Sequence, residues 1–285
     1  MADNGTSSYL QNGASLHVTG NQIINSSEII EGGSTEKVDG SLIGFADFET
    51  ELPIEGTGIT VKENSTLTVG GNIILSAEKT ALDVKVSSVT ASGVNGSNYI
   101  KGGTNGISAV GSAINLSGAT YIEGTKGIGV SADTDSVFNV TGNTTVVGDT
   151  NGIVLTGNSS ETEQSKIIGN LLAAAENGTA ITLTNTKMTV TGDEIIYGEN
   201  GLVITDSVNS IDGSLSGVAN DTAVKITGAD SNLTIGGNIG VEGGNYGVIA
   251  ENTTVTVKNE NGYGVNYIAG GQKAVSATDS TISLE

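Results

Sequence analysis

The chain has 285 residues, with 31 carboxylates against 11 basic side chains, all of them Lys, and a formal net charge of -20. Such a balance repels phosphate backbones and anionic lipid, whose neutralisation needs basic groups, so nucleic-acid binding is excluded. Hydrophobic residues are 36% with three Phe and no Trp, so any core is aliphatic, and the absence of Cys removes both disulfides and thiolate chemistry.

Residues 1–58 repeat least cleanly and read as a less regular end of the molecule. They hold Leu16-His17-Val18, Ile30-Glu31-Gly32, Phe45, Phe48, the single proline Pro53 and Ile54-Glu55-Gly56. Glu28, Glu31, Glu36, Asp39, Asp47, Glu49, Glu51 and Glu55 cluster here with only Lys37 against them. A solvated, self-repelling face explains that cluster; a cation or a basic partner is the alternative.

From Gly58 onward a small residue is followed by two apolar positions flanking a free one. The series is Gly58-Ile59, Ala81-Leu82, Gly106-Ile107, Gly127-Ile128, Gly152-Ile153, Ala180-Ile181, Gly201-Leu202, Ala223-Val224, Gly247-Val248 and Ala274-Val275, spaced by about two dozen residues. One constant side and one free side is the pattern of a strand with one buried face. A second segment carries a polar residue between two apolar ones, as in Leu67-Thr68-Val69, Ile114-Asn115-Leu116, Phe138-Asn139-Val140, Met188-Thr189-Val190, Leu233-Thr234-Ile235, Val255-Thr256-Val257 and Ile282-Ser283-Leu284. A third ends in Gly: Ile100-Lys101-Gly102, Ile122-Glu123-Gly124, Ile196-Tyr197-Gly198 and Ile268-Ala269-Gly270. Three strands per turn and turns of this length predict an all-β, right-handed parallel β-helix of roughly 11 turns of about 24 residues, one solenoid over 1–285. Within it, 165–180 is expected to leave the rod as a loop insertion, because Leu171-Leu172-Ala173-Ala174-Ala175-Glu176 is the one helix-like run. No apolar run approaches the length of a membrane span and no leader is seen, so direct membrane insertion is not expected and the chain reads as part of a longer protein.

Catalytic candidates are few. His17 is the only histidine and takes an outward position, which makes it an ordinary exposed residue. Metal clusters of His or Cys fail on count, and no cofactor motif is present, so neither metal nor cofactor is expected. Asp133-x-Asp135, Glu161-x-Glu163 and Asp193-Glu194 have no counterpart in a neighbouring turn and read as solvated turn residues.

The residues before the third-segment isoleucine are Ile29, Pro53, Tyr99, Tyr121, Ile195 and Tyr267. Strict alternation would point them outward as an apolar stripe, with Tyr99, Tyr121 and Tyr267 as partner-binding candidates. A corner that turns two successive residues inward is the other arrangement.

With these repeats laid out, the chain resembles the passenger region of type V secretion autotransporters of the adhesin type. The resemblance rests on degenerate turns such as SVFNVTGNTTVVGDTNGIVL and SNLTIGGNIGVEGGNYGVIA and covers Ser15 to Leu284. The lack of Arg with abundant Lys, Asn and Ile points to an AT-rich genome, as in large fusobacterial adhesins. The resemblance implies a non-catalytic rod exported through the outer membrane to the bacterial surface, attaching to host or bacterial cell-surface protein or glycan. Self-association is not indicated. The alternative is a carbohydrate-active β-helix enzyme, a lyase, hydrolase or tailspike-like protein, which needs a carboxylate pair on adjacent turns.

Overall fold

The computed structural model describes residues 6–47, 49–93, 96–133, 135–157, 164–260 and 264–285. Among them are 33 strands and no helix. The strands wind into a parallel β-solenoid of about 11 turns of about 24 residues, each with three faces. Face 1 carries strands such as Ile59–Lys62 and Asn151–Thr156, face 2 Thr66–Val69 and Ala113–Ser117, and face 3 Ser97–Gly102 and Ala119–Gly124. Face 2 is a 12-stranded sheet of its own. Faces 1 and 3 form one 21-stranded sheet, because Glu194–Thr205 and Leu215–Thr227 run unbroken through the corner between them.

Each residue therefore pairs with its counterpart one turn away, and side chains line up in columns along the rod. On face 1 the inward column runs Ile59, Leu82, Ile107, Val130, Ile153, Ile181, Leu202, Val224, Val248 and Val275. The predicted column stands with one correction: Val130, not Ile128, occupies the inner position, and Ile128 pairs with Asn105 and Asn151 at the strand start. The sequence Gly127-Ile128-Gly129-Val130-Ser131-Ala132 holds two overlapping copies of the motif, and close packing selects the second. A Cβ on Gly129 would fall 2.5 Å from Val146 Cγ1 on face 3, so the small residue belongs there. Val275 pairs with Val248 on one side and is 39% exposed.

Two hydrogen-bonded ladders fix the corners. After most face 1 strands one or two residues adopt a left-handed conformation, among them Asn64 (φ 60°), Asn185 (φ 50°) and Asn252 (φ 53°), a region that Asn and Asp tolerate best among residues with a side chain. A buried or half-buried hydroxyl follows, and it accepts from the backbone N–H of the turn before: Ser34 to Ser65, Ser65 to Ser87, Ser87 to Ser112 and Ser112 to Ser136, each at 3.1–3.2 Å. Between faces 2 and 3, Asn143, Asn170, Asp193 and Ser214 accept in the same way from the next turn. These bonds satisfy corner amides that no strand can reach.

Three further expectations change. The run 165–180 stays in the rod as strands Ser165–Ile168 and Leu171–Ala175 and the start of Thr179–Thr184. Leu171, Ala173 and Ala175 point inward, and rungs on both sides supply backbone partners that an isolated helical turn would lack. Ile30-Glu31-Gly32 lies on face 1, pairing with Leu10 and Val61, not in the third segment. The irregular stretch after Leu42–Gly44 is an excursion: Ala46 N–H donates to Leu52 O (2.8 Å) and Leu52 N–H to Asp47 O (3.0 Å). It then rejoins face 3 through Ile54, whose N–H donates to Ser76 O at 2.8 Å. Phe48 and Glu161-x-Glu163 lie outside the described residues.

Because Ile153 is fully buried between Val130 and Ile181, Ile153→Asp should lower stability by about 4 kcal/mol, an unpaired charge replacing an aliphatic contact on both sides. Lys225→Ser, at the exposed position of the same kind of strand, should stay within about 0.5 kcal/mol. Urea melts of the two variants measure both, and equal effects would contradict the inward and outward assignment.

Candidate functional site

Face 3 turns alternate residues outward, and the first outward column reads Ile23, Ile43, Ile74, Tyr99, Tyr121, Thr145, Leu172, Ile195, Ser216, Gly240 and Tyr267. The flanking residues Ile100 and Ile122 are fully buried while Tyr99 and Tyr121 are half-buried, so the strands alternate strictly and no corner turns the tyrosines inward. The column two residues on carries Val147, Ala174, Tyr197 and Val218 beside the first. Eight successive rungs from Ile23 to Ile195 thus present a nearly unbroken apolar strip along one side of the rod, about 35 Å at the usual strand spacing.

Of the six residues expected in the stripe, Tyr99, Tyr121, Ile195 and Tyr267 share this outward column. Tyr99 and Tyr121 are adjacent and stacked, with ring centroids 5.4 Å apart and planes 7° from parallel. Ile195 and Tyr267 share their column, but Ser216 and Gly240 separate Tyr267 from the apolar strip. Ile29 belongs to face 1, between Tyr9 and Thr60, and Pro53 sits in the excursion. Ile23, Ile43, Ile74 and Leu172 were missed; their signal was a small residue three places on, Ser26, Ala46, Ala77 and Ala175, where the tyrosine strands have Gly102 and Gly124.

The excursion makes a cleft of about 620 Å³ at the foot of the tyrosine stack. Phe45 and Pro53 of the excursion line it together with Tyr99, Lys101, Lys79 and Lys126 of the regular rungs. The Tyr121 hydroxyl donates to Glu123 at 3.0 Å, and Lys101 pairs with the same carboxylate at 3.2 Å. Burial, then that carboxylate, pushes the Tyr121 hydroxyl up to about 12, so the ring stays neutral.

Two sets of carboxyls point into the core, which the sequence did not disclose because both occupy positions the repeat assigns to aliphatic residues. Glu28 stands in the face 1 column below Ile59, and Glu36 in the face 2 column between Leu16 and Leu67. Gln22 of face 3 donates to Glu28 at 2.9 Å. Burial, and next the Glu36 carboxyl, pushes Glu28 up to about 8, and burial raises Glu36. Protonation of either acid removes the repulsion between them. Farther along, Glu194 lies fully buried between Leu171 and Leu215, and Asn209 donates to both of its oxygens at 3.2 Å. Burial outweighs the Asn209 bond and pushes Glu194 up to about 7. Asn209 Oδ1 is a buried oxygen with no hydrogen-bond partner among the described residues.

The remaining candidates do not assemble. His17 is exposed and bonded to Asp39 at 2.8 Å. Asp193 is consumed by the corner ladder while its neighbour Glu194 faces the core. Among the described residues no group of three His, Cys, Asp or Glu side chains could hold a metal ion. No known family, characterised protein or solved structure matches the chain.

The acids raised by burial give a pH dependence. Folded Glu194 keeps its proton where the unfolded chain has released it, so its share of stability is whole below about pH 4.5 and is lost as pH rises through about 7. Glu194→Gln keeps the acceptor for Asn209 and supplies a permanent donor. It should leave stability near wild type at pH 5 and raise it by about 3 kcal/mol at pH 9. Urea melts at the two pH values check this; an equal gain at both would place the cause elsewhere than in the proton.

Proposed function

We propose that the chain is a non-catalytic adhesive rod, displayed on a bacterial surface as an autotransporter-type passenger, that engages cell-surface protein or glycan through face 3. The observation that carries this reading is the outward apolar strip crowned by the stacked Tyr99 and Tyr121 rings. Face 2 offers the contrast: its outward column is His17, Lys37, Thr68, Thr90, Asn115, Asn139, Lys166 and Thr189, an ordinary hydrated surface. Half-buried aromatic rings beside aliphatic residues are what a binding face retains and a hydrated face does not. A net charge of -20 opposes side-by-side packing of identical rods, which favours a different partner over self-association.

A polysaccharide-cleaving enzyme is the second reading, favoured by Glu51 and Glu78 in the cleft lining. Both side chains are exposed, without the burial that holds one carboxyl protonated as a general acid. The adhesive reading is preferred on that ground.

Replacing Tyr99 and Tyr121 with Ser should strongly reduce attachment of rod-coated beads to target cells. The melting curve should move only by the worth of one aromatic pair, about 1 kcal/mol. Unchanged attachment would remove the stack from the contact, and depolymerisation of a purified polysaccharide would overturn the non-enzymatic reading.

A further inference from the structure

We propose that the cleft between the excursion and the tyrosine stack binds a terminal acidic sugar, a sialic or uronic acid at the end of a short glycan. This rests on reading face 3 as the binding face and names the ligand class for one part of it. The first observation is charge. Three of the chain's 11 basic residues, Lys79, Lys101 and Lys126, line this one cleft in a protein whose net charge is -20. Lys101 is held by Glu123, whereas Lys79 and Lys126 are exposed and form no ion pair with any described residue. Their ammonium groups are therefore available to a carboxylate.

The second observation is shape and surface. Tyr121 covers one face of the Tyr99 ring, and Tyr99 lines the cleft together with Phe45 and Pro53. A gap walled by flat apolar groups suits the C–H face of a pyranose, which stacks on aromatic rings while its hydroxyls reach outward. Glu51, Glu78, Ser76 and Thr125 border the same space and can bond those hydroxyls. A volume of about 620 Å³ lies in the range of small-ligand sites and accommodates one or two sugar rings.

The third observation limits the ligand's length. Beyond the cleft the protein is strongly acidic, and at physiological salt charges interact over about 8 Å. A long polyanion would run into that repulsion, while a single acidic group at a chain end would not. The same balance disfavours a nucleic acid.

The excursion is anchored at both ends independently of any ligand. Phe45 N–H donates to Ile24 O at 3.2 Å, and the Glu78 N–H donates to Ile54 O at 2.8 Å. Ile54 is fully buried, so the wall that Phe45 and Pro53 form belongs to the folded rod.

Titration calorimetry with sialyllactose and with digalacturonate, against lactose and inorganic sulfate as controls, tests the proposal on the intact chain. At least one acidic sugar should bind, with lactose and sulfate each weaker by about tenfold or more. Lys79→Gln with Lys126→Gln should weaken that binding about tenfold with the melting curve unchanged, since both residues are exposed. Phe45→Ser, which strips one wall and leaves the lysines, should weaken it also. Equal binding of lactose would overturn the acidic class, equal binding of sulfate would reduce the site to a bare anion site, and binding indifferent to the lysine variants would place it elsewhere. Absence of acidic-sugar binding at millimolar concentration overturns the proposal whatever the cells do. Bead attachment measured in parallel with Leu172→Ser and Tyr197→Ser, higher on the strip, reports separately on face 3: attachment lost there but kept in the lysine variants leaves the adhesive reading standing without this ligand.

Discussion

Parallel pairing of each strand with its counterpart about 24 residues away is the interaction on which everything else in this molecule depends. A single turn has no interior and no partner for its backbone. Stacked turns gain both together, because the same register that closes the hydrogen bonds also places like residues above one another. The consequence is a column rule: whatever a position carries is multiplied along the rod. Aliphatic residues become a continuous core, corner serines become a ladder of accepted N–H groups, and the outward residues of face 3 become an apolar strip.

The column rule also sets the cost of exceptions. Glu28, Glu36 and Glu194 interrupt aliphatic columns, and each is surrounded by the rungs above and below as well as by the opposite face. Charge in such places is opposed by burial, which raises all three acids and so favours their protonated forms, Glu28 further by the neighbouring Glu36 carboxyl. The solenoid thereby keeps polar side chains inside at the expense of stability at alkaline pH. Asn98 and Thr120 show the milder form of the same device, with the Asn98 amide donating to Thr120 Oγ1 at 3.2 Å on the next rung.

Function on such a scaffold comes from breaking the repeat or from decorating its outside. Both occur on face 3, where the excursion after Gly44 folds against the strip and converts an open sheet surface into a walled cleft. Rigid columns hold Tyr99, Tyr121 and Lys101 in place, so only the wall is irregular. In the proposed binding role these groups sit where a regular lattice meets one insertion, an arrangement that leaves little ordering of the protein to be done on binding.

The sequence by itself determined the solenoid, the three strands per turn and most of the core, because the spacing of apolar pairs and the turn residues Gly, Asn and Asp are local and recur ten times over. It also disclosed the Tyr99 and Tyr121 alignment, since equal offsets in adjacent turns suffice for that. Only the tertiary structure decided register where two copies of a motif overlap, choosing Val130 over Ile128 by the contact that Gly129 makes with Val146. It alone kept 165–180 in the rod, since the backbone partners that override helical propensity belong to other turns. It alone turned Glu28, Glu36 and Glu194 inward and gathered Phe45, Lys79, Tyr99 and Lys126 around one cleft. Those groupings join residues far apart in the chain at positions where the repeat is broken, and periodicity carries no information where the period fails.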